Sequence, residues 1–207
     1  GTDAELASAL RASGRAALRG PIERVSAVLA RVDDEGQLDV GAFSSELFAD
    51  IVPSWSTELA ALHDHPSAEV RERVARILGT FPPTMASEDT VAAALAILLQ
   101  DSEVSVVRAA LRAVGRVQVS TAGARATELL RSEDWSVRLE AARTLGALDR
   151  PEPLIVALEA DPYAYVREAA AEALRGHPEA REALIQAQND DPEPFVRQAA
   201  AAALSTE

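Results

Sequence analysis

From residue 65 onward, apolar positions recur at intervals of four, and the whole run recurs about every thirty residues. Val70, Val106, Val137, Val166 and Val196 open five such runs. Four residues after each stands a small or apolar side chain: Val74, Ala110, Ala141, Ala170 and Ala200. Eight residues after each stands a larger aliphatic one: Leu78, Val114, Leu145, Leu174 and Leu204. Spacings of four and eight fall on one stripe of an α-helix, which must face a core. The small residue in mid-stripe lets a neighbouring helix approach closely.

The pattern also predicts element boundaries. Asp161-Pro162 and Asp191-Pro192 place a capping carboxylate ahead of a proline at a first helical position, and His65-Pro66 is a weaker version. Gly79, Gly115 and Gly146 fall where a left-handed C-terminal cap is expected. Shorter partner helices are predicted at about 55–63, 89–100, 121–131, 152–159 and 178–188. The Pro-containing stretch 81–85 absorbs the longer interval between the first two runs. Each helix pair forms an antiparallel hairpin that cannot bury its own apolar face alone, so five in succession predict a stacked superhelical solenoid. Residues 1–54 lack the motif and carry three readable helices, at about 3–18, 21–32 and 41–51. They are expected to be a helical cap or divergent repeats on the end of the array, with the repeat solenoid spanning 55–207.

Composition narrows the chemistry. Aromatics make up 4% of the chain and Ala dominates the apolar set, which favours closely packed helices over sheets. Cysteine is absent, which excludes disulfides, a thiolate nucleophile and Cys-ligated zinc. No apolar run reaches membrane-span length and no signal-like segment is seen, so a cytoplasmic protein without membrane insertion is expected. The sequence opens on Gly1, not Met, which leaves room for a longer parent. The formal net charge of -13 repels phosphate backbones and argues against a nucleic-acid partner. All basic side chains are Arg, which, like the abundance of Ala, fits GC-rich codon usage.

The consensus D-P-x-x-x-V-R-x-x-A-x-x-x-L, with EPLIVAL at 152–158 in a preceding helix, resembles the short bacterial HEAT-like repeats also found in phycobilin lyase subunits. The resemblance covers about 55–207 and implies an all-α, right-handed superhelical solenoid of the armadillo-like kind, with about five hairpins and an N-terminal helical cap. It further implies a ladder between neighbouring units, formed by Asp101, Asp161 and Asp191 with Arg71, Arg108, Arg138, Arg167 and Arg197. Arg108 is displaced by one residue and Ser132 occupies the Asp position of the third unit, so the ladder is expected to be looser there. Fold resemblance of this kind carries little biochemistry, because many functions use it.

Few residues offer catalytic chemistry. The acidic turn 33–39 looks like a calcium loop, but with Gly36 at the sixth position the first ligand would be Arg31 and the twelfth Ala42. His63 and His65 flank Asp64 without a further ligand nearby in sequence, as expected of an ordinary inter-helix turn. No phosphate loop, zinc-protease signature or nucleophile elbow is present. No catalytic, cofactor or metal residues are therefore assigned, and no cofactor is expected.

Two groupings remain. Trp135, Tyr163, Tyr165 and Phe195 all lie within three positions before a helix-opening Val, so stacking would align them in a stripe at a helix spacing of about 8–10 Å. They serve either as anchors for a partner or as fillers between Ala-rich helices. Arg76, Arg112 and Arg143 stand six residues after their Val, where Glu172 and Ala202 follow. If the second helices line a concave face, as the resemblance implies, these Arg form a basic strip suited to an acidic segment; otherwise they pair with neighbours such as Glu72 and Glu140. The leading expectation is a non-catalytic protein–protein interaction scaffold or adaptor, holding a protein or peptide, one with an acidic segment included, on its concave face. The alternatives are a HEAT-like DNA glycosylase-type enzyme, which the net charge opposes, and a subunit of a bilin-lyase-like modifying complex.

Overall fold

A computed structural model describes residues 60–79 and 89–205. The three helices and acidic turn expected in 1–54, the domain boundary at 54/55 and the connector 81–85 lie outside these residues. Every regular element among the described residues is helical. After a 3₁₀ turn at Ala61–Asp64 come α1 (Ala68–Leu78), α2 (Asp89–Leu98) and α3 (Val104–Val117). The turn Ser120–Ala122 leads into α4 (Gly123–Leu129), followed by α5 (Trp135–Ala147), α6 (Pro151–Ala160) and α7 (Ala164–Ala173). The turn Pro178–Ala180 precedes α8 (Arg181–Asp190) and α9 (Pro194–Leu204). No described helix is long and apolar enough to cross a membrane.

Contacts divide the chain into two compact units, Gly1–Ala113 and Val114–Glu207. In the first, α1 packs against the 3₁₀ turn and α2. In the second, α5, α7 and α9 form one layer, with α7 touching both flanking helices, while α6 and α8 neighbour each other in a second layer. Each of α7 and α9 also packs on its own hairpin partner, α6 and α8. The core is the stripe that the periodicity marks. Val106, Val166, Val196, Val74, Ala110, Ala141, Ala170 and Ala200 are fully buried, as are Leu78, Val114, Leu145 and Leu174.

Two local expectations are corrected. Pro162 and Pro192 do not start helices: α7 begins at Ala164 and α9 at Pro194, with Tyr163 and Glu193 as the N-caps. Asp161 and Asp191 instead accept the backbone N–H of Tyr163 (2.8 Å) and Glu193 (2.9 Å), closing an Asx turn just before each helix. The proline at a first helical position is Pro194 in α9 and Pro151 in α6.

The second correction concerns glycine. Gly79 is right-handed (φ -71°), and Gly115 and Gly146 lie inside α3 and α5, so none is a left-handed cap. The positive-φ positions among the described residues are Gln118, Asp149 and Gly176. Gly79 and Gly146 are small because the equivalent helix of the next hairpin, α3 and α7 respectively, touches them. A Cβ would stand 2.9 Å from the Ala113 Cα at Gly79 and 2.6 Å from the Ala173 Cβ at Gly146.

Candidate partner-binding surface

The turns that open the second helix of each hairpin, α5, α7 and α9 among them, are fixed by a repeated arginine bridge. Arg138, just after Val137, donates through Nη1 to the carbonyls of Ser132 (2.9 Å) and Glu133 (3.1 Å) in its own turn. Its Nε and Nη2 reach Asp161 of the following turn at 2.8 and 3.1 Å. Arg167 repeats this, with the Asp161 carbonyl on one side (2.9 Å) and Asp191 on the other (2.8 and 3.0 Å). In the first unit Arg71 joins the His65 carbonyl (2.7 Å) to Asp101 (2.6 and 2.8 Å). Only the planar, forked guanidinium can serve two neighbouring turns at once in this way.

These bridges are largely shielded from water: the side chains of Asp161 and Asp191 are both 6% exposed. The Arg71 hydrogen bonds hold the Asp101 carboxyl below its ordinary 3.8, against the opposing effect of burial. Burial pushes the Asp191 carboxyl up, but Arg167 and the Glu193 N–H outweigh it and the net shift is downward. The guanidiniums of Arg71, Arg138 and Arg167 are raised in turn by their aspartate hydrogen bonds. The departures in sequence have matching geometry. Arg108 carries a buried Nε without a hydrogen-bond partner. Ser132 offers only a hydroxyl to the Asp134 N–H, at 3.3 Å, while Asp134 itself caps α5 through the Ser136 N–H at 2.8 Å. Arg197 is tied to the carbonyls of Asp191 (2.6 Å) and Pro192 (3.0 Å).

The bridges set the spacing of the aromatic side chains. Trp135 is the first residue of α5, Tyr163 the N-cap of α7, Tyr165 the second residue of α7 and Phe195 the second of α9. Their rings form one unbroken row. Trp135 stacks on Tyr163 with centroids 4.4 Å apart, Tyr163 tilts against Tyr165 at 5.7 Å, and Tyr165 stacks on Phe195 at 5.2 Å. These distances are shorter than one helix spacing because α7 contributes two rings, one to each neighbour. Trp135 is 41% and Tyr165 52% exposed, whereas Tyr163 and Phe195 are half-buried beneath the row. The row thus offers two rings to solvent, while the other two are partly covered.

Two arginines of the expected basic strip, Arg76 and Arg143, lie beside carboxylates. Arg76 is bonded to Glu72. Arg112 is exposed on α3. Arg143, 59% exposed in its side chain, stands 3.9 Å from the Glu140 carboxylate. Two acidic groups also lie on this layer, both on α7: Glu172, which takes the register position of the arginines, and Glu168, which the repeat pattern does not mark. Their signal is their spacing, three and seven residues after Tyr165, which places all three on one helix face. Burial raises the Glu168 carboxyl above its ordinary 4.5, and the charge of Glu172 adds to this against the effect of Arg143.

Elsewhere the polar groups serve local structure. The His63 ring donates to the Ala60 carbonyl (2.7 Å), and the His65 ring accepts the Ser67 N–H (3.1 Å). A depression of about 300 Å³ between the C-terminal ends of α6 and α8 has the Arg167–Asp191 bridge in its wall.

Three comparisons bear on this geometry. A family model described as HEAT repeats matches residues 57–124, 91–175 and 151–206. No curated protein sequence matches the chain. Among solved structures, a designed armadillo repeat protein in complex with peptide (KR)4 aligns with a TM-score of 0.66 at 17% identity, covering 97% of each chain. An engineered protein aligns with a TM-score of 0.65 at 19% identity, over 97% of this chain and 95% of that one. The complex of CpcE and CpcF of phycocyanin lyase from Nostoc sp. PCC7120 aligns at 22% identity with a TM-score of 0.42, over 96% of this chain and 80% of that one. At these identities the likeness to the first two concerns the fold.

Proposed function

Because the chain belongs to the HEAT repeat family, a helical repeat solenoid, we propose that it is a non-catalytic interaction scaffold holding a peptide segment of a partner protein against the aromatic row of its second unit. The observation that carries this is the exposure of Trp135 and Tyr165 on a row whose inner rings and backbone are fixed by arginine bridges. Large aromatic side chains on rigid supports lose little entropy on binding, which makes them effective anchors. Support also comes from the designed armadillo repeat protein of similar fold, which holds a peptide. The aspartates of the bridges are committed to guanidiniums and backbone N–H groups, so they are poor candidates for general acid or base work.

The test is capture of a partner from native lysate, followed by affinity measurement with W135A/Y165A. Each anchor of this kind contributes about 2 kcal/mol, so the double variant should lose at least ~30-fold in affinity while keeping its helical circular dichroism. Unchanged capture by the double variant would remove the row from the binding surface.

A further inference from the structure

The stripe of α7 that starts at Tyr165 continues through Glu168 to Glu172. The first is half-buried and the second exposed, and among the described residues neither carboxylate forms a hydrogen bond or ion pair. Most other charges on these helices differ. Glu72 has Arg76, Glu69 has Arg73, and Glu140 has Arg143 at 3.9 Å. Arg143 is the cation whose field reaches Glu168, and it is shared with the buried Glu140. The charges acting on Glu168 are thus Glu172 and an Arg143 that also faces Glu140, and Tyr165 is exposed on the same helix face.

We propose that the face formed by Tyr165, Glu168 and Glu172 receives a basic segment of the partner, with an Arg or Lys head reaching the two carboxylates and its aliphatic stem lying on the Tyr165 ring. This rests on the scaffold function above and specifies the chemistry of the occupant. The guanidinium or ammonium supplies the charge that the face lacks, and the aromatic ring favours a cation at its surface. A net charge of -13 steers such a segment in from solution and repels an acidic one. Crowding of Glu172 on the Glu168 carboxyl is relieved when a cation is held between them.

The experiment uses fluorescence anisotropy on the full chain with three labelled peptides of equal length, alternating Ser with Arg, Glu or Asn. The Arg peptide is expected to bind best, with affinity falling as salt rises. E168Q/E172Q should weaken it by about 10-fold or more, whereas E152Q/E182Q, an equal charge change on the exposed first turns of α6 and α8, should weaken it by less than about 3-fold. Equal loss in the two double variants, or no measurable binding of the Arg peptide, overturns the proposal. Preference for the Glu or Asn peptide, abolished by W135A/Y165A, also overturns it while leaving the scaffold function standing. Insensitivity of every peptide to W135A/Y165A overturns both.

Discussion

A methyl group added at Gly146 would stand 2.6 Å from the Ala173 Cβ, and neither atom belongs to a flexible side chain that can move aside. The same relation recurs one unit earlier, where a Cβ on Gly115 would meet Thr144 and Ala147, but at an ordinary 3.5 Å. Two opposite outcomes follow for one substitution type. Gly146→Ala should destabilise by about 1–3 kcal/mol, because overpacking outweighs the helix-propensity gain. Gly115→Ala should stabilise by up to about 1 kcal/mol, since it lies in a helix with room for the methyl. Urea unfolding of the two variants checks the pair. The sequence pattern located these glycines but assigned them to helix ends, because a left-handed cap and a close helix contact both call for a missing Cβ. Only the position of the next helix separates the two roles, and that is not written locally.

The helix-opening turn gives the clearest case of partial legibility at the scale of elements. The stripe of Val, Ala and Leu named the buried face of each second helix, since periodicity depends only on neighbours along the same helix. The Asp-Pro pair was less transparent. Its carboxylate was expected to cap a helix, yet Asp161 and Asp191 each take both an Asx-turn N–H and a guanidinium from the preceding unit. That second partner lies 23 or 24 residues away, and the resemblance supplied it where spacing alone did not. The bridges also set the acid response. Asp101 and Asp191 have carboxyl groups lowered from 3.8 in the folded protein, so their stabilisation is complete above that value and is lost as pH falls through the lower folded one. The melting temperature is expected to drop as pH falls below about 4, and Asp191→Asn should flatten that slope. At neutral pH the same variant should cost about 2–3 kcal/mol, because it leaves Arg167 with only part of its anchorage. Thermal melts of both proteins across the acid range measure this. A slope unchanged by the substitution would show that other carboxylates govern acid unfolding.

For the whole molecule, the repeat was enough to give an all-helical solenoid, and the family match over 57–206 agrees with it. The surface was harder to read. Alignment of Trp135, Tyr163, Tyr165 and Phe195 followed from their equivalent places in successive units, but their sharing into outer and inner rings needed coordinates. The arginine positions and part of their company were legible, since Glu72 and Glu140 lie one turn from Arg76 and Arg143 on the same helices, whereas Glu168 reaches Arg143 from the neighbouring helix. Net charge acts at this scale as well. With -13 at neutral pH, the chain should give no mobility shift of duplex DNA even at low salt and ~10 µM protein. A salt-sensitive shift at that concentration would favour the nucleic-acid alternative instead.

Each guanidinium that spans two turns touches only its own turn and the next. The gap between consecutive rings is thus gauged locally, rung by rung, with no clamp running the length of the row. An error at one rung widens a single gap and leaves its neighbours in register. A lineage could therefore retune what one pair of rings grips, or shift one contact of a bound strand, without rebuilding the others.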